Sequence, residues 1–268
     1  MKNNKKNLFE ASVKKIRKSV IDTIYNAKKG HLGGALSSID LLYYLYSNKI
    51  VEVFINKNKY TKNSLILSKG HSSLGLLAVI NYVKKNKYLK LLNTFNQNGS
   101  LSGNNCSELV PGFEFHTGSL GHGVGLGCGV ALAKYFQKTT GHTIVLISDG
   151  EIHEGSIMEG ILFADQHNLN LTVIIDNNGQ ICENFTDNVV SVKKALRFFK
   201  KEFQCIEING NKFTDLKKIS NFLKKKGFKI IISNTVKGRG ISFMEKKIKW
   251  HHSIPGKEDY ENAIKELK

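Results

Sequence analysis

Three stretches of this chain, 143–147, 171–175 and 228–233, are apolar or β-branched almost without interruption. A strand with one face in water alternates apolar and polar residues, whereas a strand buried on both faces does not. Runs this short are strands rather than helices. Shorter apolar runs at 64–67 and 205–208 read the same way. Helical patterns lie around them, at 8–27, 72–85, 122–137, 154–167, 214–226 and 257–267. The first carries Leu8, Val13, Ile16, Val20 and Ile24 at helical spacing. Another helix starts from a Ser37-Ser38 cap and carries Ile39, Leu41, Leu42 and Leu45. Gly99, Gly103 and Pro111-Gly112 make 96–112 a loop. Strands alternating with helices in this manner require an α/β fold, a parallel sheet with helices on both faces. The expected organisation is one domain over 1–268, with a C-terminal extension at 240–268. Ligands of such folds sit beyond the carboxyl ends of the strands. Attention therefore falls on 68–71, 148–150 and 176–180.

Composition narrows the class. A 41% apolar content supports a sizeable core and excludes wholesale disorder. The net charge of +18 favours anionic partners, but the lysines are dispersed and not interleaved with aromatics, which argues against nucleic acid. No apolar run is long enough to cross a membrane, and the basic N-terminal end, Met1 to Lys6, leads into no apolar leader segment. Cys106, Cys128, Cys182 and Cys205 show no C-x-x-C spacing, which fits a reducing, cytoplasmic compartment. The clustered glycines suggest backbone in close approach to a ligand.

Several nucleotide and hydrolase signatures are missing. The glycines at 121, 123, 125, 127 and 129 do not fit G-x-G-x-x-G, and there is no Walker A lysine and no G-x-S-x-G elbow. His153-Glu154 does not extend to H-E-x-x-H. What remains is Asp149-Gly150 at the end of one strand and Asn177-Asn178 at the end of the next, with one crossover helix between. A carboxylate and an amide oxygen are hard ligands suited to Mg²⁺ or Ca²⁺, with phosphate or water completing the sphere. Gly150 opens the next helix, where backbone amides favour phosphate. By spacing alone, the same residues equally suit a capped turn and an Asn turn.

Ser148-Asp149-Gly150 through Asn177-Asn178 resembles the thiamine diphosphate motif, normally G-D-G followed by N-N. Other segments resemble the transketolase branch of that superfamily. They are Lys29-Gly30-His31-Leu32-Gly33-Gly34, Leu67-Ser68-Lys69-Gly70-His71 and Thr117-Gly118-Ser119-Leu120-Gly121-His122-Gly123. Near the end, Lys237-Gly238-Arg239-Gly240 leading to Trp250-His251 is similar to small split transketolases. The matches run in order through 25–255.

The resemblance implies the N-terminal, diphosphate-binding subunit of a split transketolase. Such an enzyme transfers a two-carbon ketol unit between sugars with thiamine diphosphate and Mg²⁺. A second subunit would supply the pyrimidine-binding domain, in an α₂β₂ heterotetramer. The resemblance assigns the metal to Asp149, Asn178 and the carbonyl of Gln180. It assigns cofactor contacts to Gly118, Ser119, Leu120, Gly150, Glu151, Glu154 and Asn178, with Glu154 at a dimer contact. His31, His71 and His251 would line the substrate channel, work suited to imidazole near neutral pH. His153, His167 and His252 are read as surface or packing residues.

Ser148 departs from the first glycine of the motif, and Asn105 stands nearest to where many transketolases carry a histidine. This leaves open a sugar phosphate or a specialised sugar as the substrate. Two alternatives remain open: the α subunit of a 2-oxo acid dehydrogenase or decarboxylase, and a non-catalytic scaffold. The Gly30-His31 and Gly70-His71 segments argue against the first, and the intact Asp149/Asn178 pair against the second.

Overall fold

The computed structural model describes residues 2–53, 63–189 and 191–268. Met1, part of the basic N-terminal end, lies outside them. The helices in chain order are α1 (Lys2–Ala27), α2 (Leu32–Ser37), α3 (Ile39–Ser47), α4 (Ser73–Val83), α5 (Leu89–Asn93), α6 (Gly123–Phe136), α7 (Gly155–Gln166), α8 (Thr186–Val189), α9 (Val192–Glu202), α10 (Phe213–Phe222) and α11 (Lys257–Glu266). The strands are β1 (Ser64–Leu67), β2 (Thr143–Ser148), β3 (Leu171–Asn177), β4 (Cys205–Asn209) and β5 (Lys229–Asn234).

All five strands run parallel in the order β1-β2-β3-β5-β4. Successive side chains of a strand point to opposite faces, and the two cores divide accordingly. Leu65, Leu67, Ile144, Leu146, Ile174 and Ile231 join the core packed by α1, α3, α4, α10 and α11. Their neighbours Ile66, Val145, Ile147, Val173, Ile175, Ile230 and Ile232 join the core packed by α6, α7 and α9. Right-handed crossovers explain this division. The chain advances along the sheet from β1 to β4, with α6, α7 and α9 on one face. It then steps back to β5, which puts α10 on the other face.

The strand and helix positions follow the apolar pattern to within a few residues. Three differences have physical reasons. First, α1 begins at Lys2 rather than residue 8, because its first turns need no buried face. Second, α3 begins at Ile39, but Ser38 makes no side-chain capping bond there; the preceding short helix α2 is fully buried instead. Third, α9 falls in a lysine-rich stretch for which no element is predicted. Only Val192, Leu196 and Phe199 carry its periodicity, and they are its buried residues.

Register sets the floor of the site. Ser148 of β2, Asp176 of β3 and Ser233 of β5 lie side by side, and Asn177 pairs with Asn234. The turns after β1, β2, β3 and β5 therefore leave the sheet at one level and face one another.

Candidate active site

Two aspartates end adjacent strands, and their surroundings treat them oppositely. Asp176 is fully buried and is ion-paired with the equally buried Lys69. Ser37 Oγ also donates to it at 2.7 Å, and Thr235 Oγ1 donates as well. Burial alone raises this carboxyl, but the Lys69 charge and these hydrogen bonds outweigh it and hold Asp176 below the usual range. Asp149 has no such cation. Its carboxylate accepts from the amides of Gly150 at 2.9 Å and Gly179 at 2.6 Å. Burial, reinforced by the nearby Asp176 charge, pushes it up to about 7. Asp149 is thus a buried carboxylate in no ion pair among the described residues, and the more distant charges of Lys69 and Lys237 do not offset its burial.

The turn after β3 supplies further oxygen. Asn178 Oδ1 accepts from the Gln180 amide at 3.2 Å, while Asn178 Nδ2 donates to the Asp176 carbonyl at 3.4 Å. The side chain of Gln180 donates to the Lys246 carbonyl at 2.8 Å, and its own Oε1 is buried without a partner. The backbone carbonyl of Gln180 accepts from Lys237 Nζ at 3.1 Å, leaving its second lone pair. A carboxylate in want of positive charge, an amide oxygen and a carbonyl make a donor set that fits a hard divalent cation. The amide of Gly150 is turned onto Asp149, so a bound phosphate would have to compete for it. A side chain at Gly150 would strike Ile181 Cγ2 at 2.7 Å, so the turn can close only with glycine.

Above this floor opens a cleft of about 300 Å³, lined by Asp149, Gly150, Asn178 and Gln180 below and by His31, His71 and His251 on its rim. His31 precedes α2, His71 sits in the turn Gly70–Ser72 after β1, and His251 ends the turn Ile248–His251. The ring centre of His31 lies 5.5 Å from those of both His71 and His251. Lys237 Nζ donates to His251 Nδ1 at 2.6 Å. Burial lowers His31 to about 4, helped by His252 and Lys237. Burial and Lys237 lower His251 to about 3. His71 is also depressed, by burial and Lys69. Lys237 itself is lowered to about 8 by burial and Lys69. At neutral pH the rim is therefore a ring of neutral imidazoles: His31 and His71 can each donate one hydrogen bond and accept another, whereas His251, whose Nδ1 accepts from Lys237, has only its Nε2–H to donate.

The 117–123 turn forms the third wall. Gly118 and Leu120 line the cleft, with Asn105 packed over Gly118, whereas Ser119 faces solvent away from it. Glu151 is wholly buried and does not reach the cleft. It accepts from Ser68 Oγ, from the Gly121 amide at 3.0 Å and from the Ser148 amide at 3.2 Å. It thereby ties the turn to the ends of β1 and β2. Glu154 is exposed at the start of α7, beside Gly121 and outside the cleft.

Sequence reasoning included Lys69, Asp176 and Lys237 in its segments but gave them no role. Their signal was a charged residue at or just beyond the end of an apolar strand, where burial demands a partner. His252, read as a surface or packing residue, is exposed, but its ring centre stands 4.3 Å from that of His31.

Fold and site together define a parallel-sheet domain that presents an oxygen-rich floor and a histidine rim at its carboxyl edge. Residues 9–267 match the family described as the transketolase thiamine diphosphate binding domain. The chain is 36% identical to an apulose-4-phosphate transketolase subunit of Phocaeicola vulgatus, over 97% of this chain and 93% of that protein. It is 30% identical to the 6-deoxy-6-sulfo-D-fructose transketolase subunit SqwG of Clostridium sp., over 94% and 93%. The solved transketolase of Campylobacter jejuni shares the fold, with a TM-score of 0.87 at 24% identity; 97% of this chain covers 43% of that one. The chain belongs to the family of transketolase thiamine diphosphate-binding domains.

Proposed function

We propose that this chain is the diphosphate-binding subunit of a two-subunit transketolase that transfers a two-carbon ketol unit between phosphorylated sugars. The observation that carries the reading is Asp149, a buried carboxylate in no ion pair, facing a cleft beside Asn178 and Gln180. Mg²⁺ held by Asp149, Asn178 and the Gln180 carbonyl would supply the missing charge and anchor a diphosphate. Thiamine diphosphate, when bound, supplies the electron sink for breaking and remaking the carbon–carbon bond beside a ketose carbonyl. The chain's own residues bind and orient. Gly118 and Leu120 shape the wall against the cofactor, and Glu151 holds that wall in place. His31 and His71, kept neutral by burial and by Lys69 and Lys237, donate to and accept from sugar hydroxyls, and His251, its Nδ1 held by Lys237, donates; together they hold protons near the reacting atoms. Lys237 in the cleft lining and the +18 net charge favour anionic, phosphorylated substrates.

The partner is supported from two sides. Relatives that this chain covers almost end to end are named as transketolase subunits. The α6–α7 face also presents apolar surface: Tyr135 and Phe136 are each 72% exposed, Leu162 is 51% exposed, and a depression of about 990 Å³ lies alongside. Such a patch marks an interface. On this reading it receives the second subunit, in an α₂β₂ assembly that completes the cofactor site. No helix among the described residues is long and apolar enough to cross a membrane, and all four cysteines are free, which supports a cytoplasmic location.

The assignment is tested by equilibrium dialysis of thiamine diphosphate against the assembled protein with Mg²⁺ or with EDTA. Retention should require Mg²⁺ and disappear in Asp149→Ala. Equal retention in the variant would overturn the ligand set.

A further inference from the structure

His31, His251 and His252 each offer a ring nitrogen, and these three atoms all lie within 4.8 Å of one another. They come from two separate segments, the approach to α2 and the turn after β5. His252 is exposed, His31 is half-buried and His251 is buried, so the cluster forms the mouth of the cleft rather than its floor. The floor is built of oxygen, which suits Mg²⁺. Imidazole nitrogens are borderline ligands and suit Zn²⁺, Co²⁺ or Ni²⁺ instead.

A second observation points the same way. Nδ1 of His31 is buried and has no hydrogen-bond partner. A buried, unpaired ring nitrogen carries a desolvation cost, which a metal ion held by that nitrogen would remove. The three rings are already in edge contact, His31 with His252 at 4.3 Å and His251 with His252 at 4.4 Å between centres. Tetrahedral zinc places its nitrogen ligands about 3.3 Å apart, given bonds of about 2.0 Å. Nitrogens within 4.8 Å of one another reach that spacing by closing about 1.5 Å at most.

We infer that His31, His251 and His252 form a binding site for a borderline divalent transition-metal ion of the Zn²⁺ class, separate from the oxygen site at Asp149. Three protein nitrogens leave a fourth position open to water. An ion there stands across the cleft mouth and shuts out substrate. That consequence rests on the function proposed above, whereas metal binding itself does not.

The full-length chain is titrated with Co²⁺ and followed by visible absorption, then challenged with Zn²⁺ and with excess Mg²⁺. One equivalent of Co²⁺ should give a tetrahedral-type band that Zn²⁺ displaces and Mg²⁺ does not. His252→Ala, an exposed change that leaves the core intact, should weaken binding at least tenfold, and His31→Ala should do the same. Asp149→Ala should leave the titration unchanged. Absence of the band, or equal affinity in His252→Ala, would overturn the site. Loss of metal in Asp149→Ala would place the ion on the cleft floor and overturn it equally.

Discussion

Asp149 and Asp176 end neighbouring strands in comparable burial, and one lysine separates their behaviour. Lys69 is ion-paired with Asp176 and lowers it, while at Asp149 burial and the Asp176 charge outweigh the weaker pull of Lys69 and raise it to about 7. Removing one partner of a buried pair leaves an uncompensated charge, so Lys69→Met should destabilise the chain by about 3–5 kcal/mol in urea unfolding. A loss below about 1 kcal/mol would show that the pair carries no such role. His142 supplies a pH test away from the cleft. Its Nδ1–H donates to Asn170 Oδ1 at 2.6 Å, and its Nε2 accepts from Thr172 Oγ1 at 2.7 Å. Burial, with Lys229 nearby, lowers it to about 4 from 6.5. The unfolded chain therefore binds the extra proton between those values, and stability is lost as pH falls from 6.5 toward 4. His142→Gln should cost stability at pH 7.5, and that cost should shrink by about 2 kcal/mol at pH 4.5. A pH-independent cost would contradict the assignment. At this scale the sequence disclosed residues that are chemically unusual within a short motif, such as Asp149, Asn178 and His71. It hid Lys69 and Lys237, whose partners lie far away in the chain and are recognisable only after the strands are aligned.

The glycines of α6 show what an element adds. Their clustering reads in the sequence as backbone approaching a ligand, but within the helix they divide otherwise. A side chain at Gly127 would meet Val145 Cγ2 at 2.4 Å, so this glycine lets α6 lie close on β2. Gly125 and Gly129 have nothing within 4 Å and face outward on the apolar surface. Gly127→Ala should therefore destabilise the chain. Gly129→Ala should stabilise the lone chain by about 1 kcal/mol through helix propensity, yet weaken association if this face receives the partner. Thermal unfolding and a subunit-exchange assay separate the two effects, and stronger association in Gly129→Ala would rule this face out as the interface. The strands were legible because an uninterrupted apolar run has one structural meaning. Helix α9 was not, because its buried stripe is thin and lysines surround it.

As a whole, the proposed two-subunit reading makes the molecule a cleft with one finished side. Its floor and rim are ordered by buried ion pairs and strand register, while the α6–α7 wall ends in exposed apolar surface. The resemblance that runs through 25–255 conveyed this half-site character, because the matched motifs belong to one half of a transketolase. The apolar α6–α7 surface was not legible, since exposed apolar residues in a helix look like any others until the fold places them together. The most direct measurement is native mass spectrometry of the tagged chain purified from its own host with Mg²⁺ and thiamine diphosphate. A complex of two copies of this chain with two of a second subunit, carrying bound thiamine diphosphate, is the predicted result. A lone chain or homodimer without cofactor would contradict the two-subunit enzyme.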